Sequence, residues 1–278
     1  MAFLDDDDTP DPLRNDQLNA IKQAVACDHL FVNGPTGSGK SAVGVKIMET
    51  WWERGDIIIL VAPPKVLLHV WPQEMAKWSA SLDFWIKHVK PLKPQTRTEL
   101  LYKLGRADVR RQILLVTPEI FVGLADDIIK LAKLQNVSLM YDEVGMFKQA
   151  GTSRVRAGRR MPAVMRSVVG MTATAVSDDF AALYAQFLCI DGGKTFGTSQ
   201  EAFLAAYFNP PPPYREHAPW TIMADGAERL AKAIEPSTAM LVDRKSELPT
   251  LNYHRIWFDL EPETREAYED MASYGILL

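Results

Sequence analysis

Eight consecutive residues, Gly34-Pro35-Thr36-Gly37-Ser38-Gly39-Lys40-Ser41, concentrate the chemistry of this chain. They fit the pattern G-x-x-x-x-G-K-[ST] at every fixed position. Backbone N–H groups can converge on polyphosphate oxygens only where side chains are absent, and Gly34, Gly37 and Gly39 meet that need. Lys40 brings a cation to the terminal phosphates, and the Ser41 hydroxyl is a ligand for Mg²⁺. Far downstream stands a paired acid, Asp142-Glu143. At the carboxyl end of a strand such a pair serves nucleotide hydrolysis: Asp142 would hold Mg²⁺ through water, and Glu143 would orient and deprotonate the attacking water. Without that context an Asp-Glu pair is ordinary surface.

Three further groups carry two readings each. Gln17, ahead of the glycine loop, is either a surface residue of its helix or an adenine reader, since its amide offers a donor and an acceptor. Arg154, Arg156, Arg159, Arg160 and Arg166, with Lys148, are either a solvated helix face or a phosphate-contacting patch. Trp51, Trp52, Trp71 and Trp78 sit at helical spacing among apolar residues, which favours core packing over base stacking. Thr172 and Thr174 follow an apolar run and can sense a bound phosphate, relaying its presence to a bound polymer.

The elements that must position these groups follow from periodicity. His29 to Val32 reads as a buried strand entering the loop, and Ala42 to Met48 as the helix behind it, with its N-terminal dipole facing the anion. Further strands are expected at Asp56–Ala62, Phe84–Val89, Ile113–Thr117, Val137–Tyr141 and Ser167–Met171. Helices are expected at 65–79, 97–104 and 119–133. Strand, loop and helix repeated in this way predict a parallel sheet covered on both faces, with ligands at the carboxyl ends of the strands. Beyond about residue 178 the pattern turns helical, at 178–188, 199–208, 226–234 and 262–272, interrupted by the proline run 210–213 and a strand-like 252–258. Residues 1–12, with Asp5 to Asp8, read as a disordered acidic tail.

Composition bounds the alternatives. The 278 residues are 47% hydrophobic and 24% charged, an ordinary globular balance. Cys27 and Cys189 are too few for a disulfide framework or a zinc site, and the histidines show no ligand spacing. No apolar run reaches the roughly 18 residues of a membrane span, so an intracellular protein is expected. A net charge of −4 and a pI near 5.8 argue against holding nucleic acid by bulk charge, so any such contact must be a local groove.

With these residues in view, the chain resembles the first motor domain of a superfamily 2 helicase, in particular the Swi/Snf-like branch found among phage helicases. Leu13-Arg14-x-x-Gln17 is similar to the adenine-reading motif, and Gly34 to Ser41 to motif I. Val61 to Trp71, with Glu74 and Trp78, resembles motif Ia, and Thr117-Pro118-Glu119 stands where a further DNA-backbone motif is expected. Asp142-Glu143 matches motif II, and Gly170 to Ala175 motif III. The likeness runs from about residue 13 to 272. It implies an α/β fold, a RecA-like P-loop NTPase domain at 13–190 with a parallel sheet flanked by helices, and a helical extension and linker at 191–278. It also implies ATP and Mg²⁺ as ligands, contacts to DNA or RNA through Pro64, Lys65, Thr117 and Pro118, and no membrane partner. Two departures stand out. Motif II reads Asp-Glu-Val-Gly, so the histidine that commonly joins motif II to motif III is absent. The sequence also stops where a second RecA-like domain would begin, so that domain is expected in the rest of the polypeptide or in a partner chain. The reading of another class is a non-catalytic module that uses a truncated motor fold to occupy nucleic acid or a partner.

Overall fold

The computed structural model describes residues 13–79, 82, 86–88, 99, 112–173, 180–212, 219–242, 259–265, 268 and 269. The chain divides into two compact units, Met1–Asp243 and Arg244–Leu278.

The first unit is built on a seven-stranded sheet. Its strands are β1 (His29–Asn33), β2 (Ile57–Val61), β3 (Ile86–His88), β4 (Ile113–Val116), β5 (Val137–Asp142), β6 (Ser167–Thr172) and β9 (Thr238–Met240). They lie in the order β3-β4-β2-β5-β6-β1-β9, every pairing parallel. The central strands are continuous apolar runs because they are covered on both sides. Ile57-Ile58-Ile59-Leu60-Val61 is buried at every position. Successive side chains point to opposite faces. Ile57, Ile59, Val61, Leu139, Tyr141 and Val168 enter one core, while Ile58, Leu60, Met140, Val169 and Met171 enter the other.

The first core is closed by α4 (Pro118–Ala132), α5 (Ser153–Gly158) and α6 (Ala182–Asp191). The second is closed by α1 (Asn15–Ala26), α2 (Lys40–Glu53) and α3 (Trp71–Trp78). Trp51, Trp52 and Trp71 are buried in that second core and Trp78 packs against it, so the tryptophans do serve packing. Past α6, Gly192 takes a left-handed conformation and stops the helix, and the Asp191 carboxylate accepts N–H groups from Gly193, Lys194 and Thr195 at 2.8, 3.1 and 2.9 Å. There follow α7 (Gln200–Tyr207), a short hairpin of β7 (Phe208–Asn209) with β8 (Thr221–Ile222), and α8 (Gly226–Ile234). In the second unit the described residues include a helical stretch at Pro262–Arg265, with Arg265 Nη2 3.2 Å from Asp259 Oδ1.

Besides the unforeseen β7–β8 hairpin, two elements differ from the sequence expectation. The helix expected at 65–79 opens with a π turn, Val66–Val70, before α3 proper. Pro72 explains it, because proline has no N–H to return to the carbonyl four residues earlier. The sheet also gains β9 beside β1, three residues too short to show a period. The expected elements at 1–12 and 252–258 lie outside the described residues, as do all but residue 99 of the helix at 97–104 and the last part of that at 262–272.

The sheet edge opposite the carboxyl ends is tied by one carboxylate. Asp56 is fully buried and accepts from Arg54 Nε at 2.7 Å, Arg166 Nη1 at 3.0 Å and Ser138 Oγ at 2.6 Å. Arg54 Nη2 also reaches Ser138 Oγ and Ser167 Oγ, both at 2.8 Å, which joins β2, β5 and β6. Asp56→Ala strands these donors. Because both arginines reach solvent, the expected loss is roughly 2–3 kcal/mol, below the ~3–5 for a fully buried pair. Urea unfolding should show that loss, and a change under ~0.5 kcal/mol would contradict the clasp.

Candidate functional site

The parallel register fixes where the chemistry meets. Asn33 pairs with Thr172 and with Met240, and Asp142 with Met171. The glycine loop, the paired acid and the threonine therefore leave adjacent strands in one row at the carboxyl edge. Gly34 N–H donates to the Thr172 carbonyl at 3.2 Å, joining loop and β6 directly.

Gly37 and Gly39 have φ of +82° and +81°, a backbone only glycine adopts freely. A Cβ on Gly39 would also overlap the Gln17 amide nitrogen. Gly39 caps α2 without a side chain, so the first-turn N–H groups receive no side-chain acceptor, and no acid lies in that turn. That is the arrangement an anion needs. Lys40 folds back, its Nζ donating to the carbonyls of Gly34 at 2.6 Å and Pro35 at 2.8 Å. Burial lowers the Lys40 pKa, while the charges of Asp142 and Glu143 pull it back upward. Ser38 Oγ is buried without a partner among the described residues, and Ser41 is half-buried in the first turn of α2.

Gln17 is 5% exposed and lies against the loop, so it is not a surface residue of its helix. Its Nε2 donates to the Ser38 carbonyl at 3.1 Å, and its Oε1 accepts the Arg14 N–H at 2.9 Å. One N–H and one lone pair of the amide remain for a base. Arg14 Nη2 also donates to the Ser38 carbonyl, at 3.0 Å, and pairs with Asp16 at 2.9 Å. Asp16 in turn accepts the Val242 N–H at 2.9 Å, so the strand end at β9 braces the loop's flank. Sequence reading missed that brace, and no local signal announces it.

At the end of β5 the two acids are held differently. Asp142 Oδ2 accepts the indole N–H of Trp71 at 2.8 Å. Burial raises the Asp142 pKa and the Glu143 charge adds to that, against the Trp71 hydrogen bond and the Lys40 charge. Glu143 alone among the described non-glycine residues has a positive φ, +76°. Its Oε1 accepts from Thr172 Oγ1 at 2.6 Å and from Gly145 N–H at 3.2 Å. The link between motifs II and III is therefore made by Glu143 itself, although the histidine is missing. Thr174 lies outside the described residues.

The remaining candidates scatter. Pro64 and Lys65 are exposed just past β2. Thr117 is half-buried and caps α4, its Oγ1 accepting the Ile120 N–H at 3.5 Å, and Pro118 is buried at the first turn. In the arginine segment Lys148 and Arg159 are exposed, and four arginines have partners. Arg154 pairs with Glu119 at 2.8 Å, Arg160 with Asp126 at 2.7 Å and Arg166 with Asp56 at 3.0 Å, while Arg156 donates to the Gly151 carbonyl.

Comparison with known proteins decides the lineage. The family model described as DEAD/DEAH box helicase matches residues 14–182, more than half of the chain. The chain belongs to the DEAD/DEAH box helicase family. No curated protein matches it significantly by sequence. Among solved structures this helicase-family chain is similar to the Sulfolobus solfataricus SWI2/SNF2 ATPase core in complex with dsDNA, at 14% identity and a TM-score of 0.61, over 98% of this chain and 56% of that one. It is also similar to the Pyrococcus furiosus Hef helicase domain, at 16% identity and a TM-score of 0.46, over 64% of this chain and 36% of that one. At these identities the likeness bears on fold, and the fold is the RecA-like one of helicase cores. The chain spans about half the length of the SWI2/SNF2 core it matches.

The raised pKa of Asp142 has a measurable sign. A carboxyl with a folded pKa above its unfolded value of about 3.8 destabilises the fold while charged, and stability returns as pH falls through the raised value. Asp142→Asn should therefore melt higher than wild type at pH 7, with the difference shrinking as pH falls toward 4. A pH-independent difference in melting temperature would contradict this.

Proposed function

We propose that the chain is the ATP-binding half of an ATP-dependent DNA helicase or translocase and works with a second RecA-like domain. The observation that carries the reading is the meeting of four groups at one sheet edge: the uncapped glycine loop, Lys40, Asp142, and Glu143 held by Thr172. Family membership supports the same reading. The triphosphate would lie along the loop and the first turn of α2, with adenine toward Gln17. Lys40, which now bonds to the carbonyls of its own loop, would exchange them for phosphate oxygens. The donor set fits Mg²⁺, which takes one or two protein oxygens and fills its shell from water and phosphate. Ser41 and Asp142 are those oxygens, and no cage of three or more acids, histidines or cysteines exists among the described residues. Bound there, Mg²⁺ would neutralise charge on the β- and γ-phosphates. Glu143 would accept the proton of the attacking water and, through its bond to Thr172, report phosphate loss to β6.

Among the described residues, Arg14 is the arginine bonded to the loop, and it is held on Asp16 and Ser38. An arginine supplied from an opposing surface is worth ~10³–10⁵ in rate, so this chain alone should bind ATP and hydrolyse it slowly. Pro64 and Lys65, exposed beyond β2, and the backbone at Thr117 and Pro118 would follow the phosphates of one strand. In SWI2/SNF2 the solved core carries dsDNA, which agrees with a DNA substrate, RNA being the alternative. No described helix is long and apolar enough to cross a membrane.

Glu143→Gln separates a motor from a passive binding module. With the second RecA-like domain and DNA supplied, the variant should keep nucleotide affinity within about threefold and lose ~10²–10⁴-fold in turnover, measured by phosphate release. Undiminished turnover would remove Glu143 from the proposed role, and a wild type that releases no phosphate under the same conditions would overturn the reading of a hydrolytic motor in favour of the passive module.

A further inference from the structure

Trp71 is fully buried, yet its indole N–H is directed at the carboxylate proposed to hold Mg²⁺. Burial alone does not require this. Trp51 is equally buried in the same core, and its indole N–H has no hydrogen-bond partner among the described residues. The fold also makes room for Trp71. A Cβ on Gly44 of α2 would lie 2.9 Å from Trp71 Cη2 and 3.2 Å from Met171, so the helix behind the glycine loop is kept bare where the ring passes. The ring's aim is set by the π turn that precedes it. Trp71 N–H bonds to the Val66 carbonyl, five residues back. Each residue turns an α-helix by about 100°, so removing the extra residue of that turn would swing the indole away from β5. Asp142 Oδ1 takes no hydrogen bond from the described residues, so fixing Oδ2 leaves one oxygen available in a defined plane.

We propose that Trp71 is a positioning residue for Asp142: its indole N–H orients the carboxylate so that the free oxygen meets the hydrated Mg²⁺ of the bound nucleotide. The inference rests on the nucleotide reading above and adds a residue to it. It also gives the π turn a purpose. Lys65 stands at the turn's start and Leu68, His69 and Val70 are exposed on it, so the same short segment reaches the surface beyond β2 and, through Trp71, the metal carboxylate.

The test is a Mg²⁺ titration of the ATP-loaded chain, with ATP affinity measured separately in EDTA. Trp71→Phe keeps the ring's packing and removes the N–H. The expected result is a Mg²⁺ dissociation constant raised about tenfold, the size typical of losing a partner that orients a ligand. ATP affinity in EDTA should stay within about twofold. A merely structural role would move both together or neither. A second readout uses the wild-type fold. The chain has seven tryptophans, and in a ¹⁵N-indole spectrum the resonance shifted by Asp142→Asn should also shift when Mg²⁺ joins the ATP-loaded wild type. Unchanged Mg²⁺ affinity in Trp71→Phe, or no indole resonance that answers to both Asp142→Asn and Mg²⁺, overturns the proposal. Failure of the wild type to bind ATP both in EDTA and with Mg²⁺ present would instead remove the nucleotide reading, and this inference with it.

Discussion

Parallel pairing of β5, β6 and β1 is the constraint on which the site depends. Parallel strands release their chains at the same edge, so three segments far apart in sequence exit side by side. The exits carry Asp142-Glu143, Thr172 and Gly34, and two bonds lock them together: Gly34 N–H to the Thr172 carbonyl, and Thr172 Oγ1 to Glu143 Oε1. Thr172 thus touches the phosphate loop through its backbone and the proposed base through its side chain. A shift of β6 by one residue would break both contacts at once and turn every apolar side chain of that strand to the wrong core.

The two ends of the sheet are built for opposite purposes. At the far edge, Asp56 and its arginines and serines satisfy one another and hold β2, β5 and β6 in register. At the carboxyl edge, groups are held in less favourable arrangements. The first turn of α2 has no side-chain cap, Lys40 bonds to its own loop, Asp142 is charged against a raised pKa, and Glu143 sits in a left-handed backbone. The bare helix end, the part-buried Asp142 and the left-handed Glu143 are each a cost to stability, kept where the proposed ligand would bind. A rigid base beneath a site whose groups are held unfavourably is how a small fold keeps such groups in place.

Much of this was legible in the residues, and what was not has a physical cause. The glycine loop is spelled within eight adjacent residues, and the buried strands are largely apolar runs, so both are local signals. Gln17 was ambiguous because its partner, the Ser38 carbonyl, lies across a turn and a strand. The bond from Trp71 to Asp142 joins residues 71 positions apart, on the connection after β2 and the end of its neighbour β5, and a tryptophan in an apolar helix looks the same with or without it. Pro72 did announce the π turn, through its missing N–H, but the apolar period alone reads as one straight helix. The arginine segment carried two readings because its counterions, Glu119, Asp126 and Asp56, come from other elements and leave no local signal. β9 is three residues long and gains its meaning only beside β1.

The most direct test of a nucleotide site at this edge is amide hydrogen exchange with and without ATP and Mg²⁺. The account predicts slowed exchange at residues 34–41 and 143–145, where the loop and the motif II turn meet the ligand, and little change around Asp56 at the far edge. Protection confined to other segments, with the glycine loop exchanging as fast as before, would contradict it.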